Sequence, residues 1–158
     1  MSFPTRRKSL HVHPSIALAL PYSEIMKLGA INFDHPAKNF FGVKASLPVW
    51  PDGWMMTDKG GWLQWWGQYC GGRRLPVDDT AQVARWHSFG RRHMCGLVRA
   101  CLRDGKTINA SNHWLKSKQA MLHWGIFVHN PDIVMAFAGD ILDEHLVAGE
   151  LREFLSLT

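Results

Sequence analysis

Long apolar runs are missing from this 158-residue, 18.0 kDa chain. No stretch of about 18 apolar residues occurs, so no helix is expected to span a bilayer. Cysteine is scarce too: Cys70, Cys95 and Cys101 are an odd number. Cys95 and Cys101 are six apart and on one helix would point about 120° from each other, which forbids a bridge there. Three unpaired thiols fit a reducing, cytoplasmic compartment. Signature motifs are absent as well, with no HExxH, CxxC, GxGxxG, GxxxxGK[ST] or Gly-X-Ser-X-Gly elbow. Zinc hydrolysis, nucleotide cofactors and serine hydrolysis therefore have no sequence support. The nine histidines do not change this. His11 and His13 align only on a strand, and His87 and His93 do not share a helix face. Neither a metal nor a cofactor is expected.

Acidic residues are sparse through the first 131 positions, seven against 17 lysines and arginines, whereas residues 132–158 hold six acids and one base, Arg152. The overall charge of +5 thus conceals a basic body with an acidic tail. Such a body suits an anionic partner, unless the tail folds back on it. What the chain does have is apolar residues at 46% and eight tryptophans. With charged residues at 20%, that composition excludes bulk disorder. Its length fits one domain able to bury roughly 70% of its unfolded surface.

Periodicity predicts a mainly α protein, a single compact domain of four to six helices with an irregular N-terminal region and little strand. Arg6, Arg7 and Lys8 lead into a short apolar segment interrupted by His11, His13 and Pro14. This reads as a basic arm over residues 1–20 rather than an export signal. Residues 21–158 form the helical domain, with 132–158 its acidic C-terminal part. Ser23–Leu28 is a short helix candidate, and 30–52 is turn-rich with a short strand expected at Phe40–Lys44. Thr57 or Asp58 is expected to cap a helix ending at Gly71-Gly72. On it Trp62, Trp65, Trp66 and Tyr69 share one face and Gln64 lies elsewhere. The next helix opens at Pro76 with Asp78-Asp79 in its first turn and ends at Asp104-Gly105. Val83, Trp86, His87, Gly90, Met94, Leu97, Val98 and Cys101 recur along it at helical spacing. A fourth helix is expected from Ser111 or Asn112 through Phe127, with Trp114 inward and Lys116 and Gln119 on its polar face. The last helical stretch follows Asn130-Pro131 and breaks near Gly139, with Asp140 and Asp143 in a capping arrangement.

Asp58-Lys-Gly-Gly-Trp62-Leu-Gln64-Trp65-Trp66-Gly-Gln-Tyr69-Cys-Gly-Gly72-Arg73-Arg74, then Asp78-Asp79, Gln82 and Arg85-Trp86, resembles a family of small Trp-rich proteins of uncharacterised activity. There a Gly-Trp-Phe-Gln-Trp-Tyr run precedes Gly-Arg-Arg, a double aspartate and an Arg-Trp pair. Phe41-Gly-Val-Lys44 and Gln119-Ala-Met-Leu-His-Trp124 resemble its flanking motifs, so the likeness covers roughly 40–125. It implies no catalytic roles. Gly67 and Gln68 depart from it, standing where larger or basic residues are expected.

Three constellations carry chemistry. Arg85, Arg92, Arg99 and Arg103 fall within about 40° of one another over about 27 Å of helix, opposite the apolar stripe. With Lys116, Lys118 and the basic arm they form the first candidate, a surface for phosphates of DNA or RNA. The indoles form the second. Trp62, Trp65 and Trp86 read chiefly as core, while Trp66, Trp50 and Trp54 are better placed for a pocket wall or a base-stacking platform. The third is Arg73-Arg74 with Asp78-Asp79, which either staple two helices or, with Gln64 and His87, supply a pocket for an aromatic or anionic small molecule, or a small active site. The acidic C-terminal segment is a further candidate, an interaction helix separable from the folded body.

Overall fold

The structure is a computed structural model and describes residues 13–29, 39–43, 62–110 and 113–156. A 3₁₀ turn at Pro14–Ile16 is followed by α1 (Tyr22–Lys27), α2 (Trp62–Cys70), α3 (Pro76–Asp104), α4 (Leu115–Leu122), α5 (Pro131–His145) and α6 (Ala148–Leu155). Among the described residues the fold is mainly helical, with no strand. The strand expected at Phe40–Lys44 does not form over its described residues, 40–43, which belong to a turn closed by Asn39. Asn39 Oδ1 accepts from the Val43 N–H at 3.2 Å and its Nδ2 donates to Val43 O at 2.6 Å. A side chain that bonds its own neighbouring backbone favours a turn over a ladder. Lys44 and the expected caps Thr57, Asp58, Ser111 and Asn112 lie outside the described residues.

The 29-residue α3 is the axis of the molecule. Pro76 starts it, where a missing N–H costs nothing. Gly105, at φ 66°, ends it in the left-handed conformation that glycine accepts without strain. Its inward face holds Trp86, Met94, Leu97, Val98 and Cys101, all buried, and packs mainly on α5; His87, expected on this stripe, is exposed. Neither Gly90 nor Gly96 kinks it. Gly90 instead marks the closest approach of the two helices, because a β-carbon there would sit 2.2 Å from Phe137 Cζ. The break in α5 falls at Ala138, φ −133° and ψ 15°, one residue before the glycine expected to cause it. Asn130 caps α5 by accepting from the Asp132 N–H at 3.0 Å. Asp140, expected to cap, serves a different end described below.

α2 is buried nearly all round, its Trp62, Leu63, Gln64, Trp65, Trp66 and Tyr69 all inside. Its rings begin a stack that runs through the core: Tyr69, Trp66, Trp62, Trp124, Phe89 and His93. Successive centroids are 5.7, 5.4, 5.3, 4.2 and 3.9 Å apart with interplanar angles of 6–23°. Burial of each indole contributes about 5 kcal/mol gross at ~25 cal/mol per Å². Their N–H groups fix the neighbours: Trp66 Nε1 donates to Leu20 O at 2.7 Å and Trp86 Nε1 to Trp124 O at 2.8 Å. At Gly67 a β-carbon would meet the Tyr22 ring at 3.0 Å, which explains the small residue there.

The acidic C-terminal segment belongs to this core. Ile133, Val134, Phe137, Ala138, Ile141, Leu142 and Phe154 are buried, and the Ile108 N–H donates to Phe154 O at 3.1 Å. The expectation that it is a separable helix is corrected: its apolar face completes the packing of α3, and removing it would expose that face.

Candidate nucleic-acid interface

The outward face of α3 carries Arg85, Arg92, Arg99 and Arg103, all exposed on a helix whose dihedrals stay regular. Among the described residues no carboxylate lies within ion-pair distance of Arg85, Arg92 or Arg99; Arg103 Nε is 3.1 Å from its neighbour Asp104 Oδ1. The two ends of the row frame separate grooves. Arg85 and Arg92, with Ser88, Phe89 and Trp124, line one of about 390 Å³. Arg99 and Arg103, with Leu102 and His145, line another of about 350 Å³. Arg85 is partly fixed, donating from Nη1 to Gln82 Oε1 at 2.9 Å with its guanidinium carbon 5.7 Å from the Trp124 ring centre.

Arg91, one residue from Arg92, is committed elsewhere. It makes a bidentate pair with Asp140 at 2.7 and 2.9 Å and also donates to Phe137 O at 2.6 Å. Hydrogen bonding to that guanidinium pulls the Asp140 carboxyl down to about 2. The tail therefore meets the basic helix beside the row, and none of its described carboxylates lies within ion-pair distance of Arg85, Arg92, Arg99 or Arg103.

Lys116 is exposed. Lys118 is not: it is 2% exposed and donates from Nζ to Ala110 O at 3.2 Å. Its burial lowers the ammonium pKa and withdraws it from any surface for phosphate. Arg6, Arg7 and Lys8 lie outside the described residues, as do Trp50 and Trp54. Trp62, Trp65, Trp66 and Trp86 are each at most 2% exposed, so none offers a face to a base. Helical spacing had put Trp66 at an edge; the rings packed on both its sides make it core.

The elbow between α2 and α3 separates the members of the third constellation. Asp79 is a staple: Oδ1 accepts from Trp65 Nε1 at 2.9 Å and Oδ2 from the Leu75 N–H at 3.0 Å. The guanidinium of Arg74 lies 3.7 Å over the Tyr69 ring and donates to Tyr69 O at 2.6 Å. Arg74 and Asp79 line a half-open cavity of about 500 Å³ together with His13, Tyr69, Thr80 and Val83. Arg73, Asp78, Gln64 and His87 are not on its wall. Arg73 turns back to donate to Gln68 Oε1, Asp78 is exposed, and Gln64 is wholly buried. His87 lies with Trp86 and Phe137 at a smaller cavity of about 110 Å³. Among the described residues no ion pair joins Arg73 or Arg74 to Asp78 or Asp79, and no group of three or more His, Cys, Asp or Glu is arranged to hold a metal.

The sequence reading missed His13 in that cavity, the Phe89–Trp124 floor of the first groove, and Trp114. Trp114 is not an inward helical residue but the N-cap of a helix that starts at Leu115, and the residue is 38% exposed. Compared with protein-family models, curated proteins and solved structures, the chain gives no match, and the functional reading rests on its own residues. No helix among the described residues is long and apolar enough to cross a membrane.

Proposed function

We propose that this protein binds an anionic partner, nucleic acid, through the outward face of α3. The observation that carries the reading is the contrast along one helix: Arg91 is paired with Asp140, while Arg85, Arg92 and Arg99 point outward with no carboxylate within ion-pair distance among the described residues. A rigid row of guanidinium groups suits phosphate, which each takes bidentately. Arg103 joins the row because an exposed pair with its neighbour is worth little and exchanges readily for a phosphate. Lys116 adds a fifth cation. Three free thiols support a reducing, cytoplasmic setting. Titration of labelled oligonucleotides against salt tests the reading. Four to five phosphate contacts give a log–log slope of roughly −4 on duplex DNA and about −3 on a single strand. Binding that is absent at low salt, or indifferent to salt, removes it.

A second reading, a binding site for an aromatic or anionic small molecule, is supported by the cavity that Arg74 and Asp79 share with Tyr69 and His13. It predicts that Arg74→Ala or Asp79→Asn abolishes function while charge reversal along the Arg85 row has little effect. The opposite pattern favours nucleic acid.

A further inference from the structure

Resting on the nucleic-acid reading, we propose that the partner is single-stranded and that Trp114 is the post on which one of its bases stacks. Trp114 sits at φ 57° and ψ 35°, and no other described non-glycine residue has a positive φ. That conformation is strained for an L-residue and persists where the surroundings or a function demand it. Core packing is not its role, because Trp114 is 38% exposed while four other tryptophans are at most 2% exposed. Capping does not reward it either, since the position gives α4 no side-chain cap, which Ser, Asp or Asn would supply.

The indole stands at the C-terminal end of the arginine row. Arg103 Nε lies 3.1 Å from Asp104 Oδ1, Asp104 Oδ2 lies 3.5 Å from His113 Nε2, and the His113 ring meets Trp114 edge-on at 5.2 Å. Arg103 in turn shares its groove with Arg99. A cationic track beside an exposed aromatic face is the arrangement that holds single strands, with phosphates on the arginines and a base on the ring. A duplex keeps its bases stacked on one another and offers such a ring nothing.

The experiment is fluorescence anisotropy with labelled oligo-dT and oligo-U of about 20 nucleotides and a hairpin duplex of similar length, for wild type, W114F and W114G. Wild type is expected to hold a single strand more tightly than the duplex. W114G is expected to lose about tenfold on the single strand and to change duplex affinity less than about twofold. W114F, which keeps a ring, stays within about threefold of wild type. Circular dichroism supplies the control: W114G and W114F keep the wild-type helical signal at the binding temperature, so a loss confined to the single strand is not a loss of fold. A W114G protein that binds the single strand as tightly as wild type, with salt dependence intact, overturns the stacking post and leaves the arginine face standing. So does an equal loss on single strand and duplex. Wild type that binds none of the three at low salt removes the arginine face, and this proposal with it.

Discussion

Arg91 and Arg92 are neighbours with opposite fates, and the difference separates the two sides of α3. Toward α5, three positions are tied to it: Arg91 is fixed by Asp140 and Phe137 O, Cys95 Sγ donates to Phe137 O at 3.4 Å, and Gly90 makes room for the Phe137 ring. Toward solvent, Arg92 and Arg99 have no ion pair among the described residues, and nothing lies within 4 Å of where a Gly96 β-carbon would be. One side is determined by packing. The other is left unconstrained by it, as a solvated charged face is.

Substitutions on the inward side should cost most. Trp86→Ala removes a ring that is 2% exposed and strips Trp124 O of its donor; a loss of about 3–5 kcal/mol is expected in urea unfolding. Gly90→Ala should also destabilise, by about 1–3 kcal/mol, because the new methyl enters the Phe137 ring. Helix propensity alone predicts the reverse sign. Gly96→Ala supplies the contrast on the outward side: with open space and a helical backbone, it should stabilise by about 0.5–1 kcal/mol. If both glycine variants shift stability the same way, the two faces are not as different as described.

The smallest effect concerns the tie between tail and helix. Asp140 titrates near 2 when folded and near 3.9 when unfolded. Its depressed value contributes stability that is fully present above about pH 4 and lost as pH falls toward 2. The stability gap between wild type and Asp140→Asn should therefore be constant near neutrality and close over that acid window. A gap that widens below pH 4 contradicts the Arg91 pairing.

Much of α3 was legible in the sequence because its determinants are local. Pro76, the Asp78-Asp79 first turn, Gly105 and the apolar period state its ends and its inward face without reference to anything distant. The candidate arginines were legible for the same reason, being simply the complement of that stripe. What was not legible depended on partners far along the chain. Gln119 fell on a polar face by spacing and Lys118 was counted among the phosphate-binding cations, yet both are buried, Lys118 to serve Ala110 O and Gln119 to accept from the Phe41 N–H at 3.3 Å. Asp79 looked like a member of a charge cluster and is a staple for Trp65 and Leu75. Trp114 fitted the helical period of its neighbours, but one left-handed residue places it before the first turn of α4 and outside the core.

The most direct test compares salt dependence between two sets of arginines on the same helix. The triple variant R85A/R92A/R99A should bind oligonucleotides more weakly and with a log–log salt slope shallower by about 2 than wild type, at unchanged thermal stability. Arg91→Ala should leave that slope as it is. An unaltered slope in the triple variant, or an equal change in Arg91→Ala, would show that phosphates do not meet this face of the helix.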